Sequence, residues 1–180
     1  MNPPIFSQTV ETFVPMLNTL AQLLEKGGAY AGAKKFEPEV LVRARLAPDM
    51  YPLYKQVQIT CDLASNAVAL LTGGTAVQAE HGEESLAELK GRISKTIDAL
   101  RSLTAAAFEG AEARVLRIPL QNERVLECSG MLFVRDWILP NFYFHIVTAY
   151  NILRHNGVEL GKRDYLSHVG IYIKNRDATK

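Results

Sequence analysis

Cysteine is scarce in this chain of 180 residues, where only Cys61 and Cys128 are present. Two distant thiols do not form the framework of a small disulfide-stabilised protein, and they are too far apart for a Cys-x-x-Cys motif. We therefore expect a reducing, cytoplasmic setting. A chain of this length can fold through its hydrophobic core without disulfides.

An excess of charge of either sign is also missing. The 20 Lys and Arg residues balance 19 Asp and Glu residues, and the net charge is +1. Because affinity for phosphates comes from an excess of cations, this composition argues against a nucleic-acid partner. Apolar runs of about 18 residues, the length of a membrane span, are absent as well. We predict no membrane association, and the N-terminus does not resemble a signal peptide.

Catalytic sequence motifs are missing too. The chain contains no glycine-rich phosphate loop, no Gly-x-Ser-x-Gly and no His-Glu-x-x-His. These absences remove the common nucleotide, serine-hydrolase and zinc-protease signatures. The residues alone therefore leave open whether the protein is an enzyme.

What the chain does have is apolar residues at steps of three and four, the spacing of one helix face. The pattern predicts a first helix that begins near Ser7, kinks or begins again at Pro15 and ends at Gly27-Gly28. A second helix is predicted from about Pro52 to Leu71. Its apolar stripes are wide, as in a helical bundle.

A capping box predicts the start of the third helix. In Ser85-Leu-Ala-Glu88 the serine hydroxyl accepts from the Glu88 amide, and the Glu88 carboxylate reaches back. One turn later, Arg92 is placed to pair with Glu88. The fourth helix is predicted from Ser129 to Gly157, with an interruption at Pro140.

Residues 113–128 change to a period of two, which is typical of strands. Leu116, Ile118 and Leu120 alternate with other side chains, and residues 121–123 supply a turn. We predict a small hairpin between the third and fourth helices, with Pro119 on an unpaired edge. A hairpin of this size needs support from the helices.

These elements predict an all-α fold, an up-and-down four-helix bundle with a small β-hairpin between helices 3 and 4. We expect one domain over residues 1–180, with a tail at about 158–180. In this tail Asp164 is expected to cap a short helix, and the last six residues, 175–180, are expected to fray.

The order of these elements, together with residues 44–59 (ARLAPDMYPLYKQVQI) and 140–165, resembles the DinB-like superfamily of helical bundles. More narrowly, it resembles the bacterial branch known only as a domain of unknown function. This resemblance implies a four-helix bundle, frequent homodimers and often a divalent metal. The metal is held by a histidine on the second helix and a His-x-x-x-His pair on the fourth. Some members transfer small thiols or isomerise thiol-dependent substrates.

The sequence departs from that metal-binding pattern. The second helix offers Gln56 and Thr60 in place of a histidine, and on the fourth helix only His145 remains. Ala149 follows it by four residues and Asn141 precedes it by four. A glutamine oxygen is a poor ligand for a zinc-type ion, and alanine offers none. We therefore predict no metal site and no cofactor, with His145 the only surviving candidate ligand.

The candidate pocket centres on His145. This residue is either a remnant ligand or general base, or a buried histidine bonded to an acceptor. Asp62 either faces this imidazole or is solvated. The aromatic residues near His145 form either a pocket or, as we favour, a packed core or dimer seam. The pocket candidates are His145, Gln56, Thr60, Asp62, Tyr150 and Trp137.

Two functions follow from these observations. The first is an uncharacterised bacterial bundle protein, homodimeric, with a small pocket near His145, an empty metal site and a small-molecule ligand. The second is a metal-dependent thiol-transferase-type enzyme of the superfamily. The missing histidines favour the first.

Overall fold

The computed structural model describes residues 4–76, 80–120 and 122–174, and within these ranges the chain is mainly helical. A small antiparallel hairpin interrupts the helices in the second half. In chain order the elements are α1 (Pro4–Gln8), α2 (Val10–Lys34), α3 (Glu39–Arg43), α4 (Leu53–Leu71), α5 (Leu86–Arg101), a 3-10 turn (Ala105–Phe108), β1 (Val115–Pro119), β2 (Val125–Ser129), α6 (Gly130–Leu132), a π-helical segment (Phe133–Ile138), α7 (Leu139–His155), α8 (Lys162–Tyr165) and a second 3-10 turn (Ser167–Tyr172).

Four long helices carry the core. α2 packs against α5 and α7, and α4 packs against the same two helices. Their facing sides consist of buried apolar side chains, such as Leu20, Val57, Ile93 and Ile146. Removing this surface from water stabilises the fold by roughly 25 cal/mol per Å². In the ranges described above, no helix is both long and apolar enough to cross a membrane.

The first long helix extends further than its sequence predicts. It does not end at Gly27-Gly28 but continues to Lys34. Gly27 is buried, and a Cβ placed there would lie 3.0 Å from Leu153 Cδ2, so this glycine permits close packing of α7. The helix ends at Lys35, whose φ of 60° and ψ of 46° are left-handed.

The N-terminal end of α2 also differs from the prediction of a single start near Ser7. Thr9 separates α1 from α2, and its hydroxyl donates to the Ile5 carbonyl at 2.6 Å. Pro15 lies in the second turn of α2 and does not begin the helix. A proline near the start of a helix removes only one backbone donor. The other backbone hydrogen bonds remain, so α2 continues past Pro15.

The predictions for the next two helices are largely confirmed. α4 spans Leu53–Leu71. At the start of α5, the Glu88 amide donates to Ser85 Oγ at 3.2 Å, and the Ser85 amide donates to Glu88 Oε2 at 3.0 Å, which completes the capping box. The predicted Glu88–Arg92 pair is wrong, because Arg92 binds carboxylates on other elements.

The predicted hairpin is confirmed. β1 and β2 pair antiparallel, with Leu116 opposite Cys128 and Ile118 opposite Leu126. The turn contains Asn122 and Glu123, which have φ values of 58° and 57°. Leu116 is buried in the helical core, so the hairpin packs against the helices. A two-stranded hairpin needs such packing to be stable.

The last long helix is interrupted as expected from Pro140. This proline is the second residue of α7 and cannot donate to the Asp136 carbonyl four residues earlier. The preceding segment takes π-helical spacing, a common response to a disturbed ladder. α7 ends at His155, and Gly157 has a φ of 95°, which confirms the predicted stop.

The segment after α7 contains the short helix α8. Asp164 lies within it rather than before it, and its carboxylate accepts from the Gly161 amide at 2.7 Å. The expectation for residues 175–180 lies outside the described residues.

Candidate functional site

His145 contacts Gln56 across the interface of α7 and α4. The imidazole Nδ1 lies 2.7 Å from the Gln56 amide oxygen Oε1. Gln56 is 2% exposed in the first turn of α4, and His145 is half-buried in the second turn of α7. The structure therefore brings together two of the residues selected from the sequence, which are 89 positions apart.

A second hydrogen bond decides the orientation of the Gln56 amide. Its nitrogen Nε2 lies 2.9 Å from the Tyr51 carbonyl, which can only accept. The amide oxygen therefore faces His145, and Nδ1 of the ring carries the proton that this oxygen accepts. Thr60, one turn further along α4, donates to the main-chain carbonyl of Gln56 at 2.8 Å.

The second ring nitrogen determines what His145 can do. Because Nδ1 carries the proton, the neutral ring presents the lone pair of Nε2. Burial lowers the pKa of His145 below its usual 6.5, and the ring is neutral at pH 7. The exposed Phe144 ring packs edge-on against it, with 5.3 Å between ring centres. Such an imidazole can accept a hydrogen bond or a proton from a ligand.

The side chains around His145 do not fit the three-histidine metal site that the resemblance implies. The Gln56 oxygen is bonded to the His145 ring, and Ala149, which is fully buried, has no donor atom. Asn141 donates to the Trp137 carbonyl at 2.6 Å. Among the residues with described positions, no group of three or more His, Cys, Asp or Glu side chains could hold a metal ion.

Asp62 belongs to a different part of the structure from His145. Its carboxylate lies 2.5 Å from Arg92 Nη2 on α5 and 3.2 Å from His81 Nε2. The side chain is 23% exposed, so it is neither freely solvated nor directed at the imidazole. On a helix of 3.6 residues per turn, positions 56 and 62 face different sides, which explains the separation.

Arg92 joins Asp62 to Glu83. The guanidinium is 12% exposed, and its Nη1 lies 2.7 Å from Glu83 Oε1. The other Glu83 oxygen accepts from Gln58 Nε2 at 3.0 Å. Burial is the largest single effect on Glu83 and opposes its ionisation. The hydrogen bond and charge of Arg92, together with hydrogen bonds from the backbone amides of Glu83 and Gly82, outweigh burial and lower the pKa of this carboxyl. We call these five side chains the α4–α5 polar network: Gln58, Asp62, His81, Glu83 and Arg92.

Sequence reasoning missed most of this network. Arg92 matched a local i, i+4 pair with Glu88, and His81 and Glu83 lay in a polar loop without a motif. The one available signal was on α4, where Gln58 and Asp62 are one turn apart and share a face. That spacing shows a polar stripe beside the apolar ones, but it does not identify a partner.

The two aromatic candidates lie away from the His145–Gln56 pair. Trp137 is 36% exposed, and it lines a shallow cleft with Leu63 and Asn66, two turns further along α4 than Gln56. Tyr150 packs edge-on against Tyr165, with 6.3 Å between ring centres. Of the two alternatives favoured for the aromatic residues, a packed core does not hold for Trp137, because its ring is 36% exposed, and the dimer seam stays a prediction.

The cysteines offer no nucleophile. Cys61 is buried, and burial raises the pKa of its thiol to about 12. Burial also raises the pKa of Cys128, which is partly exposed on β2. Both thiols are therefore protonated at neutral pH, whereas a reactive cysteine needs its thiolate.

Two larger clefts lie on the side of α4 that carries the polar network. One of about 630 Å³ runs along α4 and α5 and is lined by Asp62, Arg92 and Thr96. The other, of about 590 Å³, lies between the start of α4, the end of α3 and the loop before α5. We call this second one the α3–α4 cleft.

Known proteins with the same arrangement agree with the fold. The sequence profile described as "Domain of unknown function (DUF1993)" matches residues 5–166. A crystal structure of a DinB family member protein from Shewanella denitrificans is similar, with a TM-score of 0.83 and 41% sequence identity over 89% of this chain and 90% of that one. No curated protein matches this chain. Because the profile covers most of its length, the chain belongs to the DUF1993 family and is related to the DinB family.

Proposed function

We propose that this protein is a metal-free, small-molecule-binding helical bundle in which the His145–Gln56 pair takes the place of a metal centre. The observation that carries the proposal is the 2.7 Å hydrogen bond between these side chains, with the Gln56 amide held by the Tyr51 carbonyl. This arrangement presents one oriented, neutral ring nitrogen. A ligand with an O–H, N–H or S–H group donates to Nε2 of His145.

The packing of the four long helices supports an up-and-down bundle as the framework of this site. α5 and α7 each contact both α2 and α4, which is how neighbours alternate around a four-helix core. We infer that the whole chain forms one such domain. The related protein from Shewanella denitrificans supports a bacterial origin, and the two unpaired cysteines suit the cytoplasm.

Elemental analysis of protein purified without a histidine tag tests the absence of a metal. We expect zinc, nickel and iron far below one ion per chain, and no change in His145→Ala. A Gln56→His/Asn141→His variant is the positive control, because it supplies three imidazoles near the position of the superfamily's site. Near-stoichiometric metal in the wild type that is lost in His145→Ala would contradict the proposal and favour the metal-dependent thiol-transferase function.

We further propose that the protein is a homodimer through the outer face of the last long helix. Trp137, Pro140, Phe144 and Val147 recur at steps of three and four, and all four side chains are exposed. Apolar, aromatic-rich surface of this kind is typical of subunit interfaces. We infer that a second copy of the chain covers it, because a two-fold interface needs only one patch that contacts the same patch of the other copy.

Sedimentation equilibrium tests the dimer. We expect Phe144→Asp to shift the protein toward the monomer without unfolding it, because the ring is 56% exposed in the isolated chain. Val40→Asp is the matched control, since Val40 is 59% exposed on α3, away from the strip. A wild type that is monomeric at all concentrations, or a dimer unaffected by Phe144→Asp, would rule out this interface.

A further inference from the structure

The α3–α4 cleft has a buried floor and a charged wall. Val42, Pro52 and Gln58 are buried at its base, and Tyr54 and Lys55 are half-buried beside them. Exposed side chains form the rim, and these include Arg43, Arg45, Tyr51, His81 and Glu84. Its volume of about 590 Å³ is in the range of small-molecule sites.

The floor carries an acceptor without a donor. Gln58 is 2% exposed, and its amide oxygen Oε1 is buried without a hydrogen bond from any described residue. The amide cannot be reversed, because its nitrogen donates to Glu83 Oε2 at 3.0 Å and the oxygen would then face a carboxylate. Leaving a buried carbonyl unpaired is unfavourable, so this position favours a ligand whose donor reaches Oε1.

Two cations of the wall stay available for a ligand once the existing ion pairs are considered. Arg92 is shared by Glu83 and Asp62, and Glu84 pairs with Arg43 at 3.0 Å. The half-buried Lys55 forms no ion pair with any described residue, and Arg45 donates from Nη1 to the Pro48 carbonyl at 3.2 Å, which leaves its other nitrogens for a ligand.

Tyr54, Lys55 and Gln58 all line the cleft from α4. Lys55 and Gln58 are three residues apart on α4, so their side chains are neighbours on the helix surface. Tyr54, one turn before Gln58, adds an aromatic surface to the same wall. An anion that reaches Lys55 therefore has its adjacent atoms close to the Gln58 amide.

We propose that the α3–α4 cleft binds a small organic acid that carries a hydroxyl or amide N–H next to its carboxylate. The carboxylate binds Lys55 and Arg45, and the neighbouring donor binds Oε1 of Gln58. This site is separate from the His145–Gln56 pair, which lies on another face of α4.

NMR titration of ¹⁵N-labelled protein with three matched probes tests the proposal. Lactate has both required groups, propionate lacks the hydroxyl, and lactamide lacks the charge. We expect lactate to cause saturable shifts at the amides of Tyr54, Lys55, Gln58 and Gly82. Its dissociation constant should be lower than those of the other two probes by roughly fivefold, the effect of one hydrogen bond or one screened ion pair.

Two variants assign the contacts. Lys55→Gln should weaken lactate binding by roughly fivefold, whereas Lys95→Gln, which removes an exposed lysine from the cleft along α4 and α5, should leave it unchanged. Gln58→Met should abolish the preference for lactate over propionate. Equal affinity of the wild type for lactate and propionate, shifts centred on Asp62 to Ala69, or no saturable shift would overturn the proposal. These outcomes are read from the wild type and do not depend on the stability of a variant.

Discussion

Arg92 Nη2 on α5 lies 2.5 Å from Asp62 Oδ1 on α4. This ion pair lies on a different face of α4 from the candidate site at His145. A carboxylate beside the imidazole would have stabilised its charged form. Instead, the acceptor next to His145 is the neutral amide of Gln56. The chemistry of the site is therefore that of a neutral ring, and the carboxylate of Asp62 serves the contact with α5.

Replacing Arg92 should destabilise the protein. Exposed ion pairs contribute up to roughly 1 kcal/mol and fully buried ones cost about 3–5 kcal/mol when one partner is removed, so we expect about 2 kcal/mol for Arg92→Gln at 12% exposure. Urea denaturation measures this change. Arg101→Gln on the same helix is the control, because Arg101 is exposed, and it should differ from the wild type by less than about 0.5 kcal/mol. Equal effects of the two changes would contradict the role of the network.

The contribution of Glu83 to stability should disappear in acid. Burial is the largest single effect on its pKa and raises it, but the hydrogen bond and charge of Arg92 and the bonds from backbone amides together lower the pKa in the folded state from 4.5. A carboxyl with a depressed folded pKa stabilises the fold above the unfolded pKa and loses this contribution as the pH falls through the folded value. We expect the stability difference between wild type and Glu83→Gln to be constant above about pH 5 and to shrink below 4.5. A difference that grows in acid would show the opposite linkage.

The His145 ring should be protonated on Nδ1 and should titrate below 6.5. NMR of the ring nitrogens gives both the tautomer and the pKa. Gln56→Leu removes the acceptor and should abolish the preference for Nδ1–H. Gln56→Glu places an opposite charge beside the ring and should raise the pKa of His145 above that of the wild type. An Nε2-protonated ring in the wild type would be inconsistent with the hydrogen bond to Gln56.

Gly130 should tolerate no side chain. A Cβ added at Gly130 would lie 2.0 Å from the Ala111 carbonyl oxygen, and main-chain atoms cannot move aside without disturbing the start of α6. We expect Gly130→Ala to cost about 3 kcal/mol in thermal or urea unfolding, at the upper end of overpacking effects. Gly32→Ala is the matched control, because no atom lies within 4 Å of a Cβ there. Gly32 lies in the last turn of α2, where alanine should stabilise the helix by about 0.5 kcal/mol or less.

Features encoded by neighbouring residues could be predicted. The capping box at Ser85 and Glu88, the stop at Gly157 and the hairpin at 115–129 all depend on contacts within a few positions. The interruption at Pro140 is of the same kind, since it follows from one missing donor. The pairing of His145 with Gln56 was only partly accessible, because comparison with the superfamily's histidine positions selected both residues as pocket candidates without giving their distance.

Predictions failed where a residue was assigned a role from its sequence neighbours but contacts a residue far away in the sequence. Gly27 read as a helix stop, but Leu153 lies against it in the folded chain. Arg92 read as a partner of Glu88, but Asp62 and Glu83 are better placed. Trp137 was expected in a packed core or a dimer seam, and its position at the surface in the π-helical segment does not fit the first of these.

Residue patterns were enough to predict the long helices, the capping box, the hairpin and the loss of the superfamily's histidines, because periodicity, capping and residue type act over short distances along the chain. Which side chains meet between α4, α5 and α7 depends on the packing of the folded chain. Helix packing sets those contacts through the rotation and spacing of whole helices, and a change of one residue in helix phase turns a side chain by about 100° toward a different neighbour.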